Sequence, residues 1–417
     1  MSVSEQLLEI FKHGVSSVQP NNILDNFIKV KSKKIIVTEG SKQKIYSKIN
    51  RVFPVCIGKA SVDMAKKIKK IFKVSNFKIE KGILIVNKEN FSKVKGFKCF
   101  SSGHPIPNRN GLDASIFLEN YLGKLEKNDL VLIFISGGGS ALAPYPVDGI
   151  SLEEKIIINK ILLESGANIK EINIVRKHLS KLKGGNLVKI CNPAYVHSFI
   201  LSDVIGDDLS SIASGMTTYD NSTFRDVKKI LNKYKIWTKI PKNIKNHINN
   251  GEKKKELETP EKNNQIFRKT NNTLIGSNNL CLNNMKNLCK KYNINSKIWF
   301  KNIDGDVKKI SKKFSNNIKK IKYKTPVLLI SGGETTVKVN GKGKGGRNQE
   351  FALYFAIEMK KINPSKSFII LSAGTDGRDG PTNAAGGILN QGSLEKIKKK
   401  KVNLEKELLN NNSYQVL

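Results

Sequence analysis

No run of 18 apolar residues occurs in this chain of 417 residues, so no membrane-spanning helix is expected. The first residues place Glu5 and Glu9 in an amphipathic stretch and lack the basic start and apolar core of a secretory leader, which points to a cytoplasmic protein. Cysteine is scarce. The five, at 56, 99, 191, 281 and 289, are odd in number and include no CxxC pair, so they read as reduced thiols and not as a disulfide framework. The GxxxxGK(S/T) signature is missing, as are the HRD and DFG motifs, which excludes a P-loop enzyme and a protein kinase. Acidic residues are few: 35 Asp and Glu stand against 73 Lys and Arg, a net charge of +38. Such an excess raises the question of nucleic acid or an anionic membrane. The lysines are spread along the whole chain, however, for example at Lys66, Lys70, Lys253, Lys255, Lys309 and Lys398, beside abundant Asn and Ile. That is the mark of compositional drift over a tolerant surface. With no zinc-finger spacing and no RNP-like aromatic motif, no specific nucleic acid and no membrane partner is expected.

The length suffices for two α/β domains with cores of their own. Up to about Tyr219, short apolar runs (Val52 to Ile57, Gly82 to Val86, Leu130 to Ile135, Ser198 to Val204) alternate with helix patterns such as Leu152 to Leu163 and Asn173 to Lys183. That rhythm predicts a Rossmann-like parallel sheet with covering helices. Residues 225 to 265 are rich in Lys and Asn, carry Pro241 and Pro260, and suggest only one or two surface helices, which places the domain connection there. The expected division is an N-terminal domain at 1–240, a connecting segment at 241–268 and a smaller α/β domain at 269–417. No internal repeat is evident.

Three stretches have the composition of anion sites. Val52 to Ile57 runs into Gly58-Lys59-Ala60 and an amphipathic helix, which puts Lys59 at the carboxyl edge of a strand. Ligands collect at that edge of an open α/β sheet, and a lysine there neutralises phosphate or carboxylate; by position alone, a lysine decorating the turn is equally good. Leu130 to Ile135 leads into Ser136-Gly137-Gly138-Gly139-Ser140, where Ser140 is placed to cap the next helix. Three successive glycines exceed what a tight turn needs, since each costs about 1 kcal/mol of ordering relative to alanine in regular structure. Third, a strand at Thr335 to Val339 reaches the helix pattern Gln349 to Lys361 through Gly341, Gly343, Gly345 and Gly346, with Lys342, Lys344 and Arg347 among them. Backbone N–H groups of such a loop and of the helix start are expected to hold phosphate. Gly341-x-Gly343-x-x-Gly346 also fits a dinucleotide fingerprint, but no apolar strand directly precedes it and Arg347 follows its last glycine.

Carboxylates at strand ends are candidates for a metal or a base: Asp203 and Asp207 in one loop, Asp376 and Asp379 in another, and Glu334 after the strand Val327 to Ile330. Each suits Asx-turn chemistry as well. His104, between Gly103 and Pro105, suits a structural or substrate-orienting role, whereas His13, His178, His197 and His247 read as surface residues. Lys177 and Lys183 face either a cleft or solvent.

The stretch GGETTVKVNGKGKGGRNQEFAL closely resembles the C-terminal domain of the MOFRL-type glycerate 2-kinases. Val55 to Ala60, Ser102 to Pro107, Ile135 to Leu142, Leu201 to Asp207 and Ser372 to Thr382 resemble the same family in the same order. The resemblance implies an active site in the cleft between the two domains. It also implies transfer of the γ-phosphoryl group of ATP to the C2 hydroxyl of D-glycerate with Mg²⁺, giving 2-phosphoglycerate and ADP. By matching motifs it makes Lys59 and Arg347 the paired catalytic cations. Gly58, Ser136 to Ser140, His104, Glu334, Gly345 and Gly346 would contact substrate or nucleotide, and Asp203, Asp207, Asp376 and Asp379 are the metal or base candidates. A homodimer is compatible with it. Two departures stand out. Asn383 follows Gly-Pro-Thr where the family commonly has an acidic residue, and the chain stops at Leu417 without the family's final Gly-Pro-Thr and Asn-Val-Asn-Asp stretch, so the C-terminal domain is expected to lack its last segment. The competing readings are an NAD(P)H-dependent hydroxypyruvate reductase and a catalytically idle, basic binding protein.

Overall fold

Strands that are apolar at nearly every position need cover on both faces. Arg51–Ile57, Gly82–Asn87 and Leu130–Ile135 are of this kind and lie at the centre of a seven-stranded sheet. The computed structural model describes residues 2–73, 75–321, 326–362 and 367–417. Along the sheet the strands run in the order Thr270–Gly276, Tyr195–Leu201, Leu130–Ile135, Arg51–Ile57, Gly82–Asn87 and Phe97–Ser102, with the short Lys78–Ile79 paired to Arg51 and Val52. All these pairs are parallel. Alternate side chains feed two cores: Val55, Ile57, Ile83, Ile85, Val131 and Ile133 pack on one face, and Cys56, Leu84, Val86, Leu130, Leu132 and Phe134 on the other. An antiparallel meander of Ile28–Lys31, Lys34–Glu39 and Lys42–Tyr46 adds Ile28, Ile35, Val37 and Tyr46 to the second core.

The chain divides into two compact units: Gln19–Ser277, and Met1–Val18 together with Asn278–Leu417. Three expectations change here. Residues 241–268 do not connect domains, because the helices Phe224–Lys233 and Lys242–Gly251 bury Phe224, Val227, Leu231, Ile244 and Ile248 against Ile158, Leu162, Ile172 and Val175 of Leu152–Glu164 and Ile169–His178. Their lysines and asparagines occupy only the outer faces. The start of the second unit moves from 269 to 278, since Thr270–Gly276 is a strand of the large sheet, paired with Tyr195–Leu201. The first helix, Val3–Ser17, belongs with the C-terminal unit: Ile10 packs with Leu282, Met285 and Leu288 of Asn278–Lys291, and a Cβ on Gly14 would overlap the Met285 side chain. Element edges shift by a few residues, most for Ile169–His178, expected at 173–183.

The smaller unit pairs Ser296–Asp306 with Leu328–Thr336 in parallel and Ile369–Ala373 with Gly386–Asn390 antiparallel. The helix Arg347–Ile362 lies between two of its apolar clusters, giving Phe351, Phe355 and Met359 to one and Ala352, Leu353 and Ala356 to the other. The strand expected at 335–339 ends at Thr336. No described helix is long and apolar enough to cross a membrane.

Candidate active site

In the larger unit the predicted residues converge at the carboxyl edge of the sheet. The strands 51–57 and 130–135 end side by side, with Ile57 paired to Ile135, so the loops that follow must pass each other closely. The Ser136 N–H donates to Ile57 O (3.0 Å), the Lys59 N–H to Gly137 O (2.9 Å) and the Ala60 N–H to Ser136 Oγ (3.0 Å). Gly58, at φ 129°, is required twice over, because a Cβ there would also overlap Ser136. Each glycine of the triplet faces a different neighbour: Gly137 the Asp203 carboxylate, Gly138 the His104 ring and the Lys59 stem, and Gly139 the methyl of Ala213. Lys59, His104, Asp203 and the Ser136–Ser140 loop therefore form one constellation. Lys59 and Asp203 are exposed and His104 is half-buried.

Burial, and then the Lys59 charge, hold the His104 ring below its ordinary pKa, so it is neutral at pH 7. Ser61 Oγ at the start of the helix Ser61–Phe72 and Asn87 Oδ1 at the end of the neighbouring strand are buried and, among the described residues, without a hydrogen-bond partner. Polar atoms left in that condition at a sheet edge suit a ligand that brings its own donors and acceptors. Beside them opens a cleft of about 730 Å³ lined by Lys88, Glu89, His104, Ile106 and Asn108 among others. Ser140 does not cap its helix as expected; its Oγ lies 3.0 Å from Ser214 Oγ, which donates to Asn173 Oδ1. Asp207 sits apart from the Gly137 contact, in a turn of its own at φ 56°.

Several residues that looked exposed or unplaced are buried in this unit. Lys177 pairs with Asp220 (3.2 Å), and Lys183 and Lys155 direct their amines at the carbonyls of Ala143 and Leu179. His178 and His197 are buried, not on the surface: His178 bonds Glu258, and His197 lies between Tyr46 and Thr273. The periodicity of isolated His and Lys residues gave no sign of these partners, which lie 24 to 151 residues away along the chain.

In the smaller unit the glycine loop does something other than cradle an anion. The N–H groups of Asn340 and Gly341 donate to Asn411 Oδ1, those of Lys342 and Lys344 to Asn410 Oδ1 and Asn412 Oδ1, Gly343 N–H to Asn410 O, and Gly346 N–H to Ser413 Oγ. The glycines permit two backbones to touch, since a Cβ on Gly341 or Gly343 would overlap Asn410. The helix start is taken as well: Asp379, 1% exposed, accepts from the N–H groups of Asn348 and Gln349 (3.0 and 2.8 Å). A native carboxylate thus fills the anion position of that helix. This removes the phosphate role expected of the Gly346 backbone and withdraws Asp379 from the metal and base candidates. Asp376 is exposed and accepts from the Arg378 N–H two residues on, an Asx turn. What the loop offers a ligand is side chains: Lys342 and Lys344 are exposed, and Arg347, partly exposed, pairs with Glu334 at 3.0 Å.

The family model described as a domain of unknown function, DUF4147, matches residues 6–249, and that described as the MOFRL family matches 327–417. A glycerate 2-kinase of Pyrococcus horikoshii is 36% identical over all of this chain and 92% of its own length, and a D-glycerate 2-kinase of Thermotoga maritima is 38% identical over 88% of this chain and 85% of its own length. A glycerate kinase of Mus musculus is 29% identical over 99% of the chain and 88% of its own length. The crystal structure of a glycerate kinase from Thermotoga maritima superposes with a TM-score of 0.83 at 34% identity, covering 99% of this chain and 93% of that one. Matches of this extent to both family models and to full-length relatives place the chain in the two-part DUF4147–MOFRL family, that of the glycerate 2-kinases.

Proposed function

We propose that the protein is an ATP-dependent glycerate 2-kinase, moving the γ-phosphoryl group of ATP to the C2 hydroxyl of D-glycerate with 2-phosphoglycerate and ADP as products, and that it works in the cytoplasm. The observation that carries the reading is the convergence of Lys59, neutral His104 and Asp203 on the Gly137–Gly138 turn at the sheet's carboxyl edge. Phosphoryl transfer asks the protein mainly to position two oxygens in line and to neutralise the equatorial oxygens of the transferring group. Lys59 supplies one point charge. Arg347 supplies a planar fork able to grip two oxygens at once. We assign Lys59 and Arg347 as the catalytic cations, with the Ser136–Ser140 loop and His104 orienting the acceptor.

Among the described residues no three His, Cys, Asp or Glu side chains converge as a ready-made metal cage. Mg²⁺ commonly takes only one or two carboxylates beside nucleotide phosphates, so the donor set fits it. Asp203 is the residue we assign to hold it, and the ion would offset phosphate charge. The nicotinamide reading loses its footing, because the only fingerprint-like glycines are bonded to the Asn410–Ser413 segment.

Purified protein with ATP, Mg²⁺ and D-glycerate is expected to release ADP and 2-phosphoglycerate in equal amounts. Absence of both, with NADH consumed on hydroxypyruvate, overturns the assignment. Lys59→Ala and Arg347→Lys are each expected to keep the fold and lose on the order of 100-fold in kcat, the usual effect of deleting one preorganised charged donor. Lys398→Ala, in an exposed run, is the control with unchanged rate.

A further inference from the structure

Asn411 occupies a position that the phosphoryl-transfer reading leaves unexplained. It is 9% exposed and sits at φ 55°, a left-handed conformation that Asn tolerates better than most residues. Its Oδ1 accepts from the N–H groups of Asn340 (2.8 Å) and Gly341 (3.0 Å), and its Nδ2 donates to Lys338 O (3.2 Å) and Glu350 Oε1 (2.9 Å). All four hydrogen-bonding positions of one carboxamide are thereby used. No other side chain of that size and charge can accept twice on one arm and donate twice on the other except a longer Gln. The four partners bracket Arg347: three lie at 338–341 in the loop before it, and Glu350, 3% exposed, lies three residues after it on the same helix face. Among the described residues, Arg347 itself is held at its guanidinium by Glu334 alone, in a pair exposed by 42% and 59%.

We propose that Asn411 is the positioning residue for Arg347, fixing the loop and the first helical turn against each other so that the guanidinium is presented in one orientation. The inference rests on the reading of Arg347 as a clamp on the transferring phosphoryl group. Asn411 touches no substrate; it acts through the backbone on either side of Arg347. A displacement of an ångström at a clamp is enough to slow chemistry by up to about 100-fold.

The test is a double-mutant cycle on the full chain, with ATP, Mg²⁺ and D-glycerate as substrates. Asn411→Asp keeps the two acceptor bonds, loses the two donated ones and sets a carboxylate against Glu350. Asn411→Gly removes all four bonds while suiting φ 55°, and carries the same cycle if the Asp variant does not fold. Thermal midpoints are measured first, and rates are read well below them. Each single variant is expected to lower kcat about tenfold or more with KM for D-glycerate changed by less than about threefold. In the Arg347→Lys background neither is expected to lower kcat by more than about twofold, because the group they position is already lost. A purely structural role gives instead the same fold-loss in both backgrounds, and that result, or unchanged kcat in the single variants, overturns the proposal. If Arg347→Lys alone leaves kcat intact, the clamp reading has failed, and this inference fails with it by a recognisably different result.

Discussion

Arg347 and Glu334, two predicted site residues, form an ion pair, and its worth sets how readily a phosphate can replace the carboxylate. Exposed pairs of this kind are worth about 0–1 kcal/mol. Glu334→Gln is therefore expected to change KM for ATP and kcat by less than about fivefold, well short of the loss expected for Arg347→Lys; a 100-fold loss on Glu334→Gln would make the glutamate part of the chemistry. Asp379 has the opposite character. Its carboxylate is buried and bonded to two helix N–H groups, so Asp379→Ala leaves those donors unpaired and is expected to cost about 2 kcal/mol, seen as a lower midpoint in urea. Burial pushes the Lys183 ammonium down to about 7, whereas the unfolded side chain titrates at its ordinary value, about 10.4. Between those values the unfolded chain binds more protons, so stability rises with pH across that window and levels off below it. Lys183→Met is expected to flatten the slope measured by urea unfolding between pH 7 and 9. None of these roles was legible in the sequence. A glycine-rich loop, an Asp after Arg378 and a run of three asparagines in an Asn-rich chain look alike whether they bind a ligand or each other, because the distinction lies in contacts 31 to 71 residues apart.

Elements were far more legible than their roles. The central strands could be placed because both faces are covered and nearly every position is apolar, and Gly82–Asn87 is buried at each of its positions. The helices Phe224–Lys233 and Lys242–Gly251 were visible too, yet their place was misread, since a short amphipathic helix shows one apolar stripe whether it lies on a domain or between two. The same limit hid the allegiance of Val3–Ser17. The site divides likewise. The Lys59 and Ser136–Ser140 loops follow strands whose ends are fixed by pairing, so their convergence follows from topology alone. The loop before Arg347 is held by Asn410–Ser413, which no local pattern announces. An element-level consequence follows for Ser214: it joins Ser140 to Asn173 of the helix Ile169–His178, and Ser214→Ala is expected to lower kcat several-fold through the glycine triplet while the buried Asn173 amide keeps the variant's thermal midpoint below wild type.

At the scale of the molecule, a net charge of +38 with lysines spread along the whole chain makes self-repulsion a global term. Raising salt from about 0.02 to 0.3 M shortens the screening length to less than about 10 Å, so the thermal midpoint is expected to rise with NaCl. A fall would mean that specific ion pairs outweigh the repulsion. The division of the chain carries a consequence in time. The unit Gln19–Ser277 is inserted between Val18 and Asn278 of the other, so a ribosome finishes the larger unit first and can release it folded. The helix Val3–Ser17 emerges at the outset, but its partner Asn278–Lys291 follows only after roughly 260 more residues, some ten to fifty seconds at about 5–20 residues per second. Throughout that wait the face that carries Ile10 and Gly14 has nothing of its own unit to rest on, and the nascent chain must keep it from sticking elsewhere.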